Sequence, residues 1–364
     1  ISSKLTLEGP IKKDKTSFLI SGRRTYIDLL ARPIIRSAGD GNTAGYYFYD
    51  LNGKVNHKFS DKDRLYISAY LGDDKAYSSY EDSWTNNGET STDKESAQLK
   101  WGNTITAIRW NHMLSNKVFM NTTLRYSKYR FLVGADSEFT STTAGSSTTD
   151  AFSYAYISGI EDWSGKVDFD WVPNPNHFVR FGAGDIYHTY TPGVNQFRVT
   201  ESNSSAIDTT FGANKQFAHE LFAYLEDEVK IGEKFKGNVG LHFSGFVVGS
   251  TNYWSLQPRI SGRYLLNNNS SVKASYASMT QFMHLLTNTG IGLPTDLWLP
   301  ATERVKPQTS HQWAAGYAQT IKEKFELSIE GYYKVMNNLI EYKDGASFFS
   351  NDQDWQDKIE SGRG

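Results

Sequence analysis

Two kinds of connection alternate along this chain, and their alternation constrains the fold more than any single segment does. Short charged turns fall near residues 12, 61, 115, 175, 233, 268 and 323, and long polar connections near 37, 86, 142, 202, 250, 295 and 350. Between them, apolar and polar residues alternate with period two, the mark of a strand with one apolar and one polar face. In 325–335, Phe325, Leu327, Ile329, Tyr333 and Val335 share one face, and Glu326, Ser328, Glu330 and Lys334 share the other. Segment 308–321 precedes it across Lys322, Glu323 and Lys324, and a proline-bearing loop, 292–306, leads in. Each unit is therefore a large hairpin, tight at one end and long-looped at the other.

The same reading gives about fourteen strands plus the start of another. An open soluble sheet of that size is unusual and exposes edges that invite pairing with other chains. The expected fold class is all-β: an antiparallel, transmembrane, up-and-down β-barrel, or a large part of one. Such barrels carry short turns at one rim and long loops at the other, and closure satisfies every backbone group, as a membrane requires. Strands of roughly 9–11 residues suffice to span a bilayer. A propeller also repeats every 40–50 residues or so, but its blades need four short strands per period where this chain has two long ones. Several details follow as expectations. Residues 17–30 form a return strand and 31–43 a loop. Residues 78–94 and 191–214 form polar loops. The Ser-, Thr-, Ala- and Gly-rich stretch 134–150 is a mobile loop unable to bury a core.

Composition removes several function classes. Lys+Arg total 38 against Asp+Glu 40, a net charge of -2, so no basic excess exists to bind nucleic acid. Cys is 0, which excludes disulfides, a thiol nucleophile and thiolate metal sites within this chain. No apolar run reaches the roughly 18 residues of a transmembrane helix. The mean hydropathy of -0.53 does not argue against a barrel, because half of each strand faces water.

The search for chemistry is mostly negative. There is no GxSxG, HExxH or P-loop pattern, and Gly290–Ile291–Gly292 is an isolated GxG. The eight histidines are scattered, without metal-ligand spacing, and read as wall side chains facing the lumen. Asp352, Asp354 and Asp357, in NDQDWQDK, weakly resemble a calcium loop but lack its glycine and terminal glutamate; the bland reading is an acidic solvated loop. Trp84, Trp254, Trp298 and Trp355 lie in or beside long loops, where they either stack on a ligand or join a membrane girdle and loop packing. Arg23 and Arg24 are neighbours on one strand and so point to opposite faces, one of them toward a lumen carboxylate. No catalytic residue, metal or cofactor is expected.

At 303–320, ERVKPQTSHQWAAGYAQT, the chain resembles the barrel of TonB-dependent outer-membrane receptors, in which a loop ending in a Lys-Pro-Glu/Gln-type sequence re-enters the wall as a strand. Lys306, Pro307 and Gln308, followed by Trp313 and Gly316, match that pattern. LPTDLWLP at 293–300 and the stretch 8–30 are similar to receptors of Bacteroidetes-type bacteria. The resemblance implies a barrel of twenty-two strands with a plug domain before it. Residues 1–364 would then supply about fourteen or fifteen of those strands and neither the plug nor the last part of the wall. It also implies a nutrient transporter in the outer membrane of a Gram-negative bacterium, not an enzyme. Its partners would be the TonB complex (through the plug region), outer-membrane lipid, a small nutrient ligand and a surface lipoprotein lid. Lumen charges such as Asp168, Asp170, Glu326 and Glu330 would hold the plug and line the path. A passive porin-like channel and a soluble, secreted glycan-binding β protein are the alternatives.

Overall fold

In the computed structural model, which describes residues 1–38, 42–202, 206–212, 214–287, 297–346 and 354–364, the chain is almost entirely β. Strands β1 (Ser2–Lys12) and β2 (Thr16–Thr25) lead into helix α1 (Ile27–Ala38). Then come β3 (Thr43–Lys58), β4 (Asp63–Asn86), β5 (Glu89–Ser115), β6 (Val118–Thr143), β7 (Ser146–Asn174), β8 (His177–Thr200) and β9 (Ile207–Gly212). They are followed by β10 (Gln216–Ile231), β11 (Phe235–Val248), β12 (Thr251–Asn267) and β13 (Ser270–Gln281). A small hairpin, β14 (Met283–Leu286) and β15 (Leu297–Pro300), precedes β16 (Gln308–Ile321), β17 (Phe325–Tyr342) and β18 (Ile359–Arg363).

The large sheet is a meander. Each strand pairs antiparallel with its sequence neighbour in the order β1 to β8, then β10 to β13, then β16 to β18, with β9 appended to β8. β14 and β15 form a separate two-stranded sheet. Within the described residues β1 and β18 do not pair with each other, so the sheet is not closed. This is the up-and-down order expected from the alternating turns.

Register sorts the two faces. Leu225 lies opposite Leu241, and Val239 opposite Ile260. On the other side of the same strands Tyr224 lies opposite His242, and Glu228 opposite Asn238. Leu225 is 56% exposed and Ile329 61% exposed on the apolar face. A continuous apolar surface that large needs an apolar partner. Ring pairs stand along this surface toward both ends: Tyr126 against Trp163 (4.7 Å between centroids), Tyr187 against Phe217 and Trp313 against Tyr333 on the loop side, and His57 against Phe59 and Trp110 against His112 on the turn side.

Four expectations change. The segments 78–94 and 134–150, expected as loops, are paired strand almost throughout, closing at Asn86↔Glu89 and Thr143↔Ser146. Asn87 and Gly88 both have positive φ, +49° and +82°, the requirement of a type I′ hairpin that an Asn-Gly pair meets without strain. Hydroxyl groups stabilise the arms across the pairs, Ser83 to Thr92 at 3.0 Å, Thr85 to Thr90 at 3.1 Å and Thr140 to Thr149 at 3.1 Å. Cross-strand hydroxyl pairs and the β preference of threonine do there what core burial does elsewhere. Likewise 191–200 continues β8 and pairs with β9. The expected strand 17–30 ends at Thr25 and gives way to α1, with Asp28 in its first turn and Arg36 in its last, the charge order the helix dipole favours.

The buried core is not spread through the sheet. It lies at the loop end of the polar face, beneath β14 and β15. Phe131 and Tyr156 of the wall pack with Leu286, Leu297, Leu299, Val305, Trp355 and Ile359. Beside them, Ile160, Tyr190, Ala218 and Phe246 pack with Phe282 and Ala301. Phe131, Ala218 and Phe246 alternate in parity with the apolar-face residues Leu124, Leu221 and Phe243, so the hairpin sits on the polar side. It emerges beside β13 and β16 yet touches β7 and β8, and so roofs that side of the wall.

Candidate functional site

Below this roof the polar face carries a ladder of paired charges. Arg23 Nε donates to Asp50 Oδ2 at 2.7 Å, while Arg24, on the other face, bonds Asp28 at 3.1 Å. Lys166 reaches Asp168 at 2.8 Å, and the same carboxylate accepts the Tyr224 hydroxyl at 2.8 Å. Arg180 pairs with Glu226 at 2.7 Å, Lys236 with Glu228 at 2.7 Å, and Lys273 with Glu330. The Lys273–Glu330 pair passes over Gly316, where an added Cβ would lie 2.8 Å from the lysine stem; the small residue clears its path. A cleft of about 490 Å³ opens here, lined by Glu228, Lys236, Arg263, Lys273 and Glu330 among others. Both signs line one groove, an arrangement that holds zwitterionic or hydrogen-bonding groups without favouring one net charge.

At the loop end the ladder passes into a buried polar knot. His188 is only 2% exposed; its Nδ1 lies 2.7 Å from Asp162 Oδ1 and its Nε2 3.5 Å from Glu220 Oε2. Asp162 also accepts from Ser127 at 3.3 Å, and Tyr190 and Phe246 cover the imidazole at 5.4 and 6.3 Å. Four strands, β6, β7, β8 and β10, supply this knot, so no local sequence motif announces it. The expectation that the histidines face the lumen holds only for His188 and His242: His57, His112, His177, His219 and His311 stand on the apolar face by register, and His284 lies in the roof hairpin.

The roof is fixed at its base by the Lys-Pro-Gln motif. Gln308 donates from Nε2 toward His284 Nδ1 at 3.1 Å, and Asn338 donates to the Pro307 carbonyl at 2.8 Å. The Tyr253 hydroxyl donates to Thr302 O at 2.7 Å, and Thr302 bonds Gln356 at 2.7 Å. Trp313 stands on the apolar face between Tyr276 and Tyr333. The motif thus acts as a hinge plate: proline ends the loop, and glutamine starts β16 while gripping the hairpin.

His284 is fully buried, and burial pushes its imidazole down to about 4. A base whose folded pKa is depressed gives stability that is complete above its unfolded value near 6.5 and is lost as pH falls toward the folded one. Lowering the pH from 7 to 5 should therefore cost the roof about 2 kcal/mol, roughly a 30-fold fall in the amide protection factors at 283–286 and 297–300, after division by the intrinsic exchange rate at each pH. Hydrogen exchange on the full-length protein reads this directly. Protection factors that stay flat, or that fall equally in His284→Gln, would refute the assignment.

The residues singled out from the sequence occupy different places. Asp354 accepts from the Gln356 amide at 2.9 Å and caps a short 3-10 turn, and Asp357 is bonded to Arg304. Asp352 lies outside the described residues. Among the described residues, no group of three or more His, Asp or Glu could hold a metal ion. Trp355 is buried in the roof's core, and Trp298 packs against the Ile160–Tyr190 cluster. Trp254 lies on the apolar face, 5.6 Å from Phe243 and directly over Gly245. Trp84 stands near Phe139 at 6.2 Å on the projecting hairpins.

A family model described as TonB dependent receptor-like, beta-barrel, matches residues 29–358. The chain belongs to that family. The match covers the barrel domain of a TonB-dependent receptor and no plug. Solved structures agree on the fold. The ferripyoverdine receptor of the Pseudomonas aeruginosa outer membrane, bound to ferripyoverdine, aligns with a TM-score of 0.56 at 11% identity, covering 94% of this chain and 47% of that one. The ferric-catecholate import receptor Fiu of E. coli K12 aligns at 0.53 and 12%, covering 95% and 57%. The RagAB peptide importer aligns at 0.54 and 10%, covering 93% and 44%. This TonB-dependent receptor barrel thus spans about half the length of the structures it resembles. No curated protein matches it.

Proposed function

We propose that this chain is the wall and outer loops of a transporter in the outer membrane of a Gram-negative bacterium, importing a scarce small nutrient with energy from TonB. One observation carries the reading: a single meander separates an apolar outer face from a charge-laddered inner face, as a lipid-embedded polar conduit requires. The apolar face meets lipid. On the inner face Asp168, Asp170, Glu326 and Glu330 belong to the surface that a plug would rest on, and the roof stands at the mouth through which cargo enters.

The likeness to siderophore receptors and to a peptide importer supports a small ligand without selecting one. A surface lipoprotein over the loops belongs to the same proposal, on the strength of the segments at 8–30 and 293–300. Trp84, at the tip of the projecting hairpins, is the tryptophan best placed to meet a ligand.

Uptake measurements test this. Cells with the full-length gene deleted should lose growth on one limiting nutrient, and dissipating the proton gradient should abolish its uptake in intact cells. Uptake that survives the protonophore would mean a passive channel, and recovery of the receptor in buffer without detergent would remove the membrane reading.

A further inference from the structure

Helix α1 is built the wrong way round for a helix that only packs on its own protein. It rests on β3, and the residues it turns inward are Asp28, Ala31 and Ile35, at i, i+3 and i+7. Its larger apolar side is left open: Ile27 is 51%, Leu30 55% and Ile34 71% exposed. Arg32 and Arg36 are exposed on the opposite side, and the helix's only acid, Asp28, is buried against Arg24. An apolar side with arginines on the opposite one, and no exposed acid, is the pattern of a helix lying in a membrane interface.

Its place in the fold says which interface. Arg24 pairs with Tyr49 in register and shares the apolar face with Leu51 and Val55; its guanidinium lies 5.0 Å from the Tyr47 ring. At the other end Arg36 donates to Thr43 at 3.4 Å, and Thr43 has the same parity on β3. Both ends of α1 are therefore tied to the outer face of the wall, not to its polar side. β2 runs from Thr16 at the turn end to Thr25, about the length a bilayer crossing takes. The helix begins where the wall leaves the hydrocarbon. Outward-facing Lys75, Lys100 and Arg130 continue the basic row along the neighbouring strands, the last two around Asp73.

We infer that α1 is an interfacial anchor, seated in the headgroup layer of the loop-side leaflet with Ile27, Leu30 and Ile34 toward the acyl chains and Arg32 and Arg36 toward net-anionic headgroups. The inference rests on the membrane reading above. It makes α1 a fixed collar at the rim and not part of the cargo path.

Cysteine is absent from this chain, which makes spin labelling direct. The full-length receptor, with any cysteine elsewhere replaced by serine, is labelled at Ile34→Cys, at Ile329→Cys on the lipid face or at Ser146→Cys on a hairpin tip. It is then reconstituted in phosphatidylglycerol vesicles. The ratio of oxygen to nickel-chelate collisions at Ile34 should approach that at Ile329 and exceed that at Ser146 several-fold. A ratio equal to that at Ser146 overturns the proposal, and so does a label shielded from both reagents, because a protein surface would then cover the helix. A water-like ratio at Ile329 would sink the membrane reading itself, and this inference with it. The contact with anionic headgroups has its own arms. Salt, or Arg32→Glu combined with Arg36→Glu, should lower the Ile34 ratio in phosphatidylglycerol vesicles and leave it unchanged in phosphatidylcholine ones. Equal responses in both lipids overturn that part.

Discussion

Leu299→Ala is expected to release the roof while leaving the wall standing. Leu299 is fully buried, and its cluster joins Phe131 and Tyr156 of the wall to Leu286, Leu297 and Trp355. Emptying a site of that kind costs about 2–5 kcal/mol. The hairpin is held by this cluster and a few hydrogen bonds, among them Ala301 N to Phe282 O at 2.7 Å, so the cost falls on local opening. Proteolysis within 283–300 of the full-length receptor should accelerate at least about thirtyfold. The heat required to unfold the barrel, read as loss of compact migration on gels, should stay the same. A joint fall in both would show that the hairpin is part of the wall's own cooperative unit. An unchanged cleavage rate would show that the packing is not what seats it.

Leu241→Arg is the second large effect, and it tests the lipid face. Leu241 sits midway along β11, opposite Leu225 and near Val239, on the apolar side. An arginine near the bilayer midplane of a barrel costs about 2–4 kcal/mol. Asn238→Arg is the matched control on the inner face, opposite Glu228, where a new cation gains a neighbour and meets water; its cost should be within about 0.5 kcal/mol of zero. Urea titration of the full-length receptor in lipid vesicles gives both values. Equal costs for the two would contradict the assignment of faces.

Much of this architecture is legible in the residues themselves. Phe325, Leu327 and Ile329 opposite Glu326, Ser328 and Glu330 define two faces because the strand period is two and chemistry need only alternate with it. Lys322 and Glu323, both at positive φ, announce a tight turn by their position between two such segments. Arg23 and Arg24 point apart for the same reason, and Arg23 finds a carboxylate on the inner face. The departures share a cause. Residues 134–150 and 78–94 read as loops because nothing there buries a core, yet cross-strand hydroxyl pairs and the Asn87–Gly88 turn hold strands without one. That Asn-Gly pair is the local signal of the hairpin. Helix α1 escapes a reading by period because Ile27, Leu29, Ile34 and their neighbours continue an apolar run begun in β2, and a short run does not distinguish the two periods.

The sequence alone determined strand direction, face and order, since those depend on local period and on turns a few residues long. It also carried the family, through Lys306, Pro307, Gln308, Trp313 and Gly316. Only the tertiary structure decided where the buried core lies and what it covers. Leu299 and Trp355 join Phe131 and Tyr156 of the wall in one buried cluster, across elements far apart in the chain. Such meetings depend on how an in-folded loop crosses the mouth of the sheet, which no local pattern of residues encodes.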